Sequence, residues 1–294
     1  MYIVGDRMKA FKIIFYIIMV LWYLYYIYLM IRLYLNNSKS YDCDNIIDIK
    51  NVDMPLSDLS LIIYKKIKPE LLTSTIVKLI DDKKIILNKE NGDFILIKNC
   101  DDEDLSKSDF NIIDLLFNTI GSDNKVSLKK IDSFCKNNSG SSSFLMSYQI
   151  WKKLVYVSSN HNKIFEPKLD YSKVKFMQKI GIILFILNIL LKYYFIIGFF
   201  MIVPSIFITI YFYNISKLTK EYSDYYYSFL NFRKELRENP KLLENNKYFE
   251  YSILLKSYDN VTNNNKKEFT KKLDMAIQKC YRSAILNGNR SLFH

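Results

Sequence analysis

The sequence predicts a mainly α membrane protein: three transmembrane helices, a cytoplasmic α+β region of tandem winged-helix-like units, and a small α-helical tail domain. Three observations predict it. The uncharged run "IIFYIIMVLWYLYYIYLMI" occupies Ile13 to Ile31, and a second apolar stretch, Ile180 to Ser216, carries one charge, Lys192. Between them, apolar residues recur at helical spacing and lead into two short apolar segments around Asn91-Gly92. After the second stretch only helical periodicity returns.

At 1.5 Å rise per residue the first run matches a hydrocarbon slab of about 30 Å. Residues 1–35 are expected as a retained N-terminal anchor. A secretion signal is the other reading of an apolar run after Arg7, Lys9 and Lys12, but "RLYLNNSKS" offers no small-x-small cleavage site. The second stretch is too long for one comfortable span, and Lys192-Tyr193-Tyr194 marks an interfacial break. A hairpin over 176–214 is expected, with helices near 176–193 and 195–214; a single span kinked at Pro204 is the alternative.

The formal charge is +12, and 36 of the 42 basic residues are lysine. Asn, Ile, Tyr and Phe are abundant too, and these amino acids share AT-rich codons. Residues 36 to 175 hold 21 basic and 20 acidic side chains, whereas residues 217 to 294 hold 15 and 9. An excess in the tail and membrane flanks suits anionic lipid headgroups better than a DNA groove. Lys163, Lys168, Lys173, Lys175 and Lys179 precede the hairpin, and Lys217, Lys220 and Arg233 follow it, so both flanks are expected in the cytoplasm. Arg7, Lys9 and Lys12 pull the other way, but the hairpin contrast is larger. The expectation is a multi-pass protein of the cell membrane with its N-terminus outside and its main domains inside. Cys43, Cys100, Cys135 and Cys280 show no pairing pattern and would then lie in a reducing compartment.

Residues 36–55 read as a polar linker. In 56–104, Leu56, Leu59, Ile62, Ile63 and Ile67 fall at helical spacing, and Pro69 opens a helix burying Leu71, Leu72, Ile76, Leu79 and Ile80. "KKIILN" and "DFILIKN" flank the hairpin signal Asn91-Gly92. Helix, helix, hairpin is winged-helix order. A second such unit is expected over 105–170. Ser106 or Ser108 caps a helix, Val126 to Leu128 forms a short strand, and Phe144 to Leu154 forms another helix; "YVSSNHNKIFEP" closes as a small wing. One irregular α+β domain is the competing reading. In the tail, 217–294, a helix is expected to carry Leu218, Tyr222, Tyr225, Tyr226, Phe229 and Leu236 on one face, ended by Asn239-Pro240. That face either packs on the middle region or lies on the membrane surface. Two more helices follow, near 241–257 and 265–281.

"PELLTSTIVKLIDDKKIIL", "LSKSDFNIIDLLFNTIG", "VSLKKI" and "LTKEYSDYYYSFLNFRKELRENP" resemble, in order, segments of the C-terminal part of the YciQ-like predicted membrane proteins, a bacterial family of unknown function. The likeness runs from about Leu56 to Tyr258. It implies a cytoplasmic location for residues 36 to 175 and carries over no catalytic residue.

Catalytic chemistry needs particular groups at particular spacing, and the chain has two histidines and seven glycines. Neither His161 nor His294 has a cysteine or second histidine at ligand spacing, and no glycine-rich phosphate cradle occurs. "SGSSS", 139 to 143, lacks a partner base and reads as a linker and helix cap. "DDED", Asp101 to Asp104, reads as a solvated helix start. Asn188 reads as hairpin glue toward Ser205 or Thr209, a contact worth about 0.6 to 2 kcal/mol. No catalytic, cofactor-binding or metal residue is nominated, no cofactor is implied, and no enzyme is expected.

The expectation is therefore a non-catalytic, membrane-anchored interaction or scaffold protein. Its partners would be a bilayer with anionic headgroups and other membrane or cytoplasmic proteins. The alternatives are a membrane-tethered winged-helix regulator that binds nucleic acid, or an accessory subunit of a transporter or membrane enzyme. Nucleic acid is disfavoured because Ser74, Thr75, Lys78, Asp81 and Asp82, the expected exposed face of the wing helix, offer one lysine against two carboxylates.

Overall fold

A computed structural model describes residues 2–37, 46–166, 172–190, 206 and 217–291. The chain divides into two compact units: residues 1–42 with 165–217, and residues 43–164 with 218–294.

In the first unit, α1 (Tyr2–Asn37) contains the one described helix, Ile13–Arg32, that is long and apolar enough to cross a bilayer, with mean hydropathy 2.1. Its buried residues Phe15, Met19, Trp22, Tyr26 and Leu29 step by four and three, while Ile17, Leu21 and Leu24 are exposed. That spacing is a helix-packing seam on a helix apolar all round. Tyr26, Leu29 and Met30 pack with Met177, which lies on α8 (Ser172–Leu190), and the Trp22 indole Nε1 donates to the Met177 carbonyl at 2.8 Å. Gly181 makes the approach possible, since a Cβ there would lie 2.2 Å from the Trp22 ring. The expected second span, 195–214, lies outside the described residues except for Ile206, and so does the Asn188 side chain.

The second unit begins with a 3-10 turn, Ile49–Asn51, and α2 (Leu56–Tyr64), which stops where Lys65 turns left-handed at φ 56°. Proline at the first position starts α3 (Pro69–Asp81). Strands β1 (Ile85–Glu90) and β2 (Asp93–Lys98) pair antiparallel around Asn91 and Gly92, whose φ values of 50° and 77° fit a two-residue hairpin turn. Helix α4 (Lys107–Ile113) is capped by the Ser106 hydroxyl, which accepts from the Asp109 N–H at 3.1 Å, and continues into a π-helical segment, Asp114–Ile120. There the wider turn buries Leu115, Leu116, Phe117 and Ile120 together. Strand β3 (Lys125–Ser127) then pairs with β2, so the short strand expected inside a second unit joins the first hairpin in one sheet, β1-β2-β3.

Helices α5 (Leu128–Phe134), α6 (Asn138–Ser158) and α7 (His161–Ile164) follow. The stretch expected to form a second wing is thus largely helical. Its junction is held at Asn160, whose backbone N–H and side-chain amide donate to the buried Asp58 carboxylate at 3.1 and 2.7 Å. The "SGSSS" segment, expected as a linker and helix cap, forms the first turns of α6. Ser141 is fully buried there, and Gly140 presses on α5: a Cβ would lie 2.1 Å from the Phe134 carbonyl oxygen.

The tail supplies α9 (Lys220–Glu238), α10 (Asn246–Leu255) and α11 (Asn264–Ser291). In α9 the buried stripe is Asp224, Ser228, Phe229, Phe232 and Leu236. Tyr222, Tyr225 and Tyr226, expected on the same face, are half-buried at its margin, where an amphipathic ring keeps its hydroxyl near water. Tyr251 on α10 closes both backbone groups of Met54, accepting from its N–H at 3.0 Å and donating to its carbonyl at 2.8 Å. The residues of α11 reach β2 through Phe94 and Phe269, and α6 through Tyr148 and Tyr281, both in edge-to-face contact.

Candidate functional site

The middle helix of the expected wing is an internal element. Nine of the residues of α3 are buried, and α10 and α11 both pack on it. Of the five side chains expected on an exposed reading face, Lys78 and Asp82 are exposed, but Ser74 is fully buried and its hydroxyl donates to the Glu250 carbonyl at 2.9 Å. Thr75 bonds back to Leu71, and the Asp81 carboxylate holds Lys266 of α11 at 3.0 Å. Periodicity located the helix correctly. It could not show that segments nearly 200 residues later would cover it.

A polar cluster lines this contact. Thr73 donates to Asp274 at 3.0 Å, and Glu70 pairs with Lys256 at 2.7 Å. Burial pushes the Asp274 carboxyl up; at Glu70 burial is the largest single influence and also raises, but the Lys256 hydrogen bond and charge, a backbone hydrogen bond and one from Gln278 together bring its carboxyl down. Glu250 goes furthest: desolvation, with Asp81 and Asp82 nearby, pushes it up to about 7 against the pull of Lys78 and Lys266. These groups join the two chain segments of the unit.

A cleft of about 820 Å³ opens between α5, α11 and the β1–β2 turn. Lys129, Lys130 and Lys136 line it from the α5 side, Lys272 and Lys279 from α11, and Leu128, Met275 and Ala276 add apolar surface. Asp132 binds Lys279 at 2.6 Å and Lys136 at 3.7 Å; the Lys279 hydrogen bond is the main reason its carboxyl titrates below the usual range. Lys272 pairs with Glu268 at 2.7 Å, which Lys89 also holds at 2.8 Å.

Beside this cleft two of the four cysteines, expected without a pairing pattern, come together. Cys135, at the end of α5, and Cys280, on α11, form a disulfide with Cα atoms 5.0 Å apart across 145 residues. Both are buried, and the pairing is invisible in sequence because only tertiary packing brings the two helices together. Cys100 is a free, half-buried thiol, and Cys43 lies outside the described residues.

The remaining sequence candidates stay apart. The ring of His161 contacts Tyr156 at 4.4 Å, and His294 lies outside the described residues. Asp102–Asp104 form an exposed 3-10 turn ahead of α4, with Asp102 paired to Lys98 at 2.7 Å. The lysine cleft is the feature that sequence reading missed. Its signal, "SLKKIDSFCK" and "KKLDMAIQK" with lysines at helical spacing, becomes legible only once the two helices are known to be neighbours.

No curated protein and no solved structure matches the chain. Residues 49–250, more than half of the chain, match the family model described as predicted membrane protein (DUF2207) C-terminal domain, and the chain belongs to that family, whose function is unknown.

Proposed function

We propose that this protein is a non-catalytic interaction protein anchored in the membrane, holding one globular unit at the cytoplasmic face. The carrying observation is the position of α3. In a winged-helix DNA reader the corresponding helix must be free to enter a major groove. Here Thr73, Ser74 and Asp81 bond to α10 and α11 instead, so the helix serves assembly.

The path of the chain supports the membrane arrangement. Residues 43–164 and 218–294 make one compact unit, so a chain that leaves it at 164 and returns at 218 crosses any bilayer an even number of times. That favours the hairpin over the single kinked span, and with the N-terminal anchor it gives three crossings. Lysine contrast places both flanks inside. A disulfide is uncommon in a reducing compartment and points the other way. The lysine bias takes precedence here because it acts during insertion.

The five cleft lysines favour one second reading, a membrane-tethered nucleic-acid binder that contacts phosphates through that surface. An accessory subunit of a transporter or membrane enzyme is a particular case of the interaction reading. Cross-linking of the full-length protein in its own membranes, followed by affinity capture and mass spectrometry, should return a defined protein partner. Recovery of no protein, with duplex DNA bound at nanomolar affinity by the purified protein, would replace the interaction reading with the second.

A further inference from the structure

The geometry points to the cleft between α5, α11 and the β1–β2 turn as the docking site for an acidic, amphipathic segment of a partner protein. The inference rests on the interaction reading above and gives it a surface. Its volume, about 820 Å³, lies in the range of about 300 to 1,000 Å³ typical of ligand sites. Five lysines line it against two carboxylates, and both carboxylates are engaged locally: Asp132 by Lys279 and Lys136, Asp93 by the Phe94 N–H at 2.9 Å. Among the described residues Lys129 and Lys130 form no ion pair, so their charge is available to a ligand. Met275, 54% exposed, lies among these cations and offers an adaptable apolar contact.

A phosphate ligand fits less well. No arginine lines the cleft, so the two-pronged fork that matches phosphate is missing. The start of α5 does not replace it, because the Lys130 N–H is already bonded to the Ser127 hydroxyl at 3.1 Å. Ammonium groups on flexible stems instead tolerate carboxylates at variable spacing, and the Met275 surface suits the apolar side of the same peptide. The Cys135–Cys280 bond lies next to Lys136 and Lys279 and fixes one wall against the other, which lowers the ordering cost of docking.

The probe is a fluorescent helical peptide with glutamates on one face and leucines on the other, titrated against the full-length protein in detergent. It should bind about tenfold or more tightly than its Glu→Gln counterpart, and more weakly as salt rises. Lys129→Glu/Lys130→Glu and Met275→Ser should each weaken it, and Lys152→Glu/Lys153→Glu on α6 should not. The first pair and Met275 are exposed, so loss of the fold does not confound the result. Equal binding of the glutamine peptide, an equal loss in the α6 variant, or tighter binding of inorganic phosphate or duplex DNA would overturn the proposal. In the membrane capture experiment, Lys129→Glu/Lys130→Glu should lose the partner. A partner retained by that variant sinks the cleft and leaves the interaction reading standing, whereas no partner with the native protein sinks both.

Discussion

The Ser74 hydroxyl and the Glu250 carbonyl, 176 residues apart in sequence, are joined by a buried hydrogen bond of 2.9 Å. The bond ties a helix made before the second apolar stretch to one made after it. The stability of the globular unit should therefore depend on both segments at once.

Phe229 on α9 is fully buried and meets Tyr251 edge to face at 5.7 Å, whereas Tyr226 is half-buried. Phe229→Ala should cost roughly 3 to 5 kcal/mol and Tyr226→Ala about 1 kcal/mol. Limited proteolysis in detergent should show residues 56–165 losing protection in the first variant. Unchanged protection would mean that α9 does not stabilise the earlier segment.

Glu250 has a folded pKa of about 7 against an ordinary value of 4.5. The folded state therefore binds this proton more tightly than the unfolded chain does. Its contribution to stability is full below pH 4.5 and is lost as pH rises through 7. At about 1.4 kcal/mol per unit, Glu250→Gln should gain roughly 3 to 4 kcal/mol at pH 8 relative to the native protein, and little at pH 4. Thermal midpoints across that range test this; a gain independent of pH would show that Glu250 is not the titrating group.

Gly181→Val places a branched side chain where a Cβ alone would lie 2.2 Å from the Trp22 ring. The variant should weaken pairing of α1 and α8 by about 1 to 3 kcal/mol and expose the indole. Trp22 emission should shift to the red; an unshifted spectrum in a Trp151→Phe background would place Trp22 elsewhere.

Even crossing predicts that Cys100 and an added cysteine, Lys241→Cys, share one side of the membrane. In Cys43→Ser backgrounds, with Cys100→Ser for the second site, both should resist an impermeant maleimide in intact cells and react after permeabilisation. Opposite accessibility would break the even count, and labelling of both in intact cells would keep it and reverse the orientation.

Oxidising the purified protein to the Cys135–Cys280 bond should stabilise it by about 2 to 5 kcal/mol over the dithiol, given the long loop closed. Cys135→Ser should abolish the difference between melts with and without reductant. A difference that survives would assign the redox response to other cysteines.

What the sequence revealed was mostly local. Pro69, Asn91-Gly92 and Ser106 act within a few residues, and each stands where its own backbone chemistry requires it. The apolar run of α1 was equally plain, since length and composition alone mark a helix long and apolar enough to cross a bilayer. Ser74 and Ser141 look like surface residues in one dimension but are fully buried in three. Their hydrogen-bond partners, the Glu250 and Asn138 carbonyls, are backbone atoms that every residue has and no pattern marks. The cleft was hidden for a related reason: Lys129 and Lys279 lie on separate short lysine-rich stretches, each of which reads as an ordinary solvated face.

The division of the globular unit between residues 43–164 and 218–294 also sets an order of events during synthesis. When the ribosome has made α2, α3 and the sheet, the surfaces that will meet α10 and α11 have nothing to meet until residues 165–217 and then the tail have been made. In the proposed topology, a chain whose second apolar stretch is threaded the wrong way would strand the two halves on opposite faces of the bilayer, and neither could close its core. Completion of the unit would then be a built-in record of correct insertion, and a mis-threaded copy would present the uncovered face of α3 to proteases at that membrane.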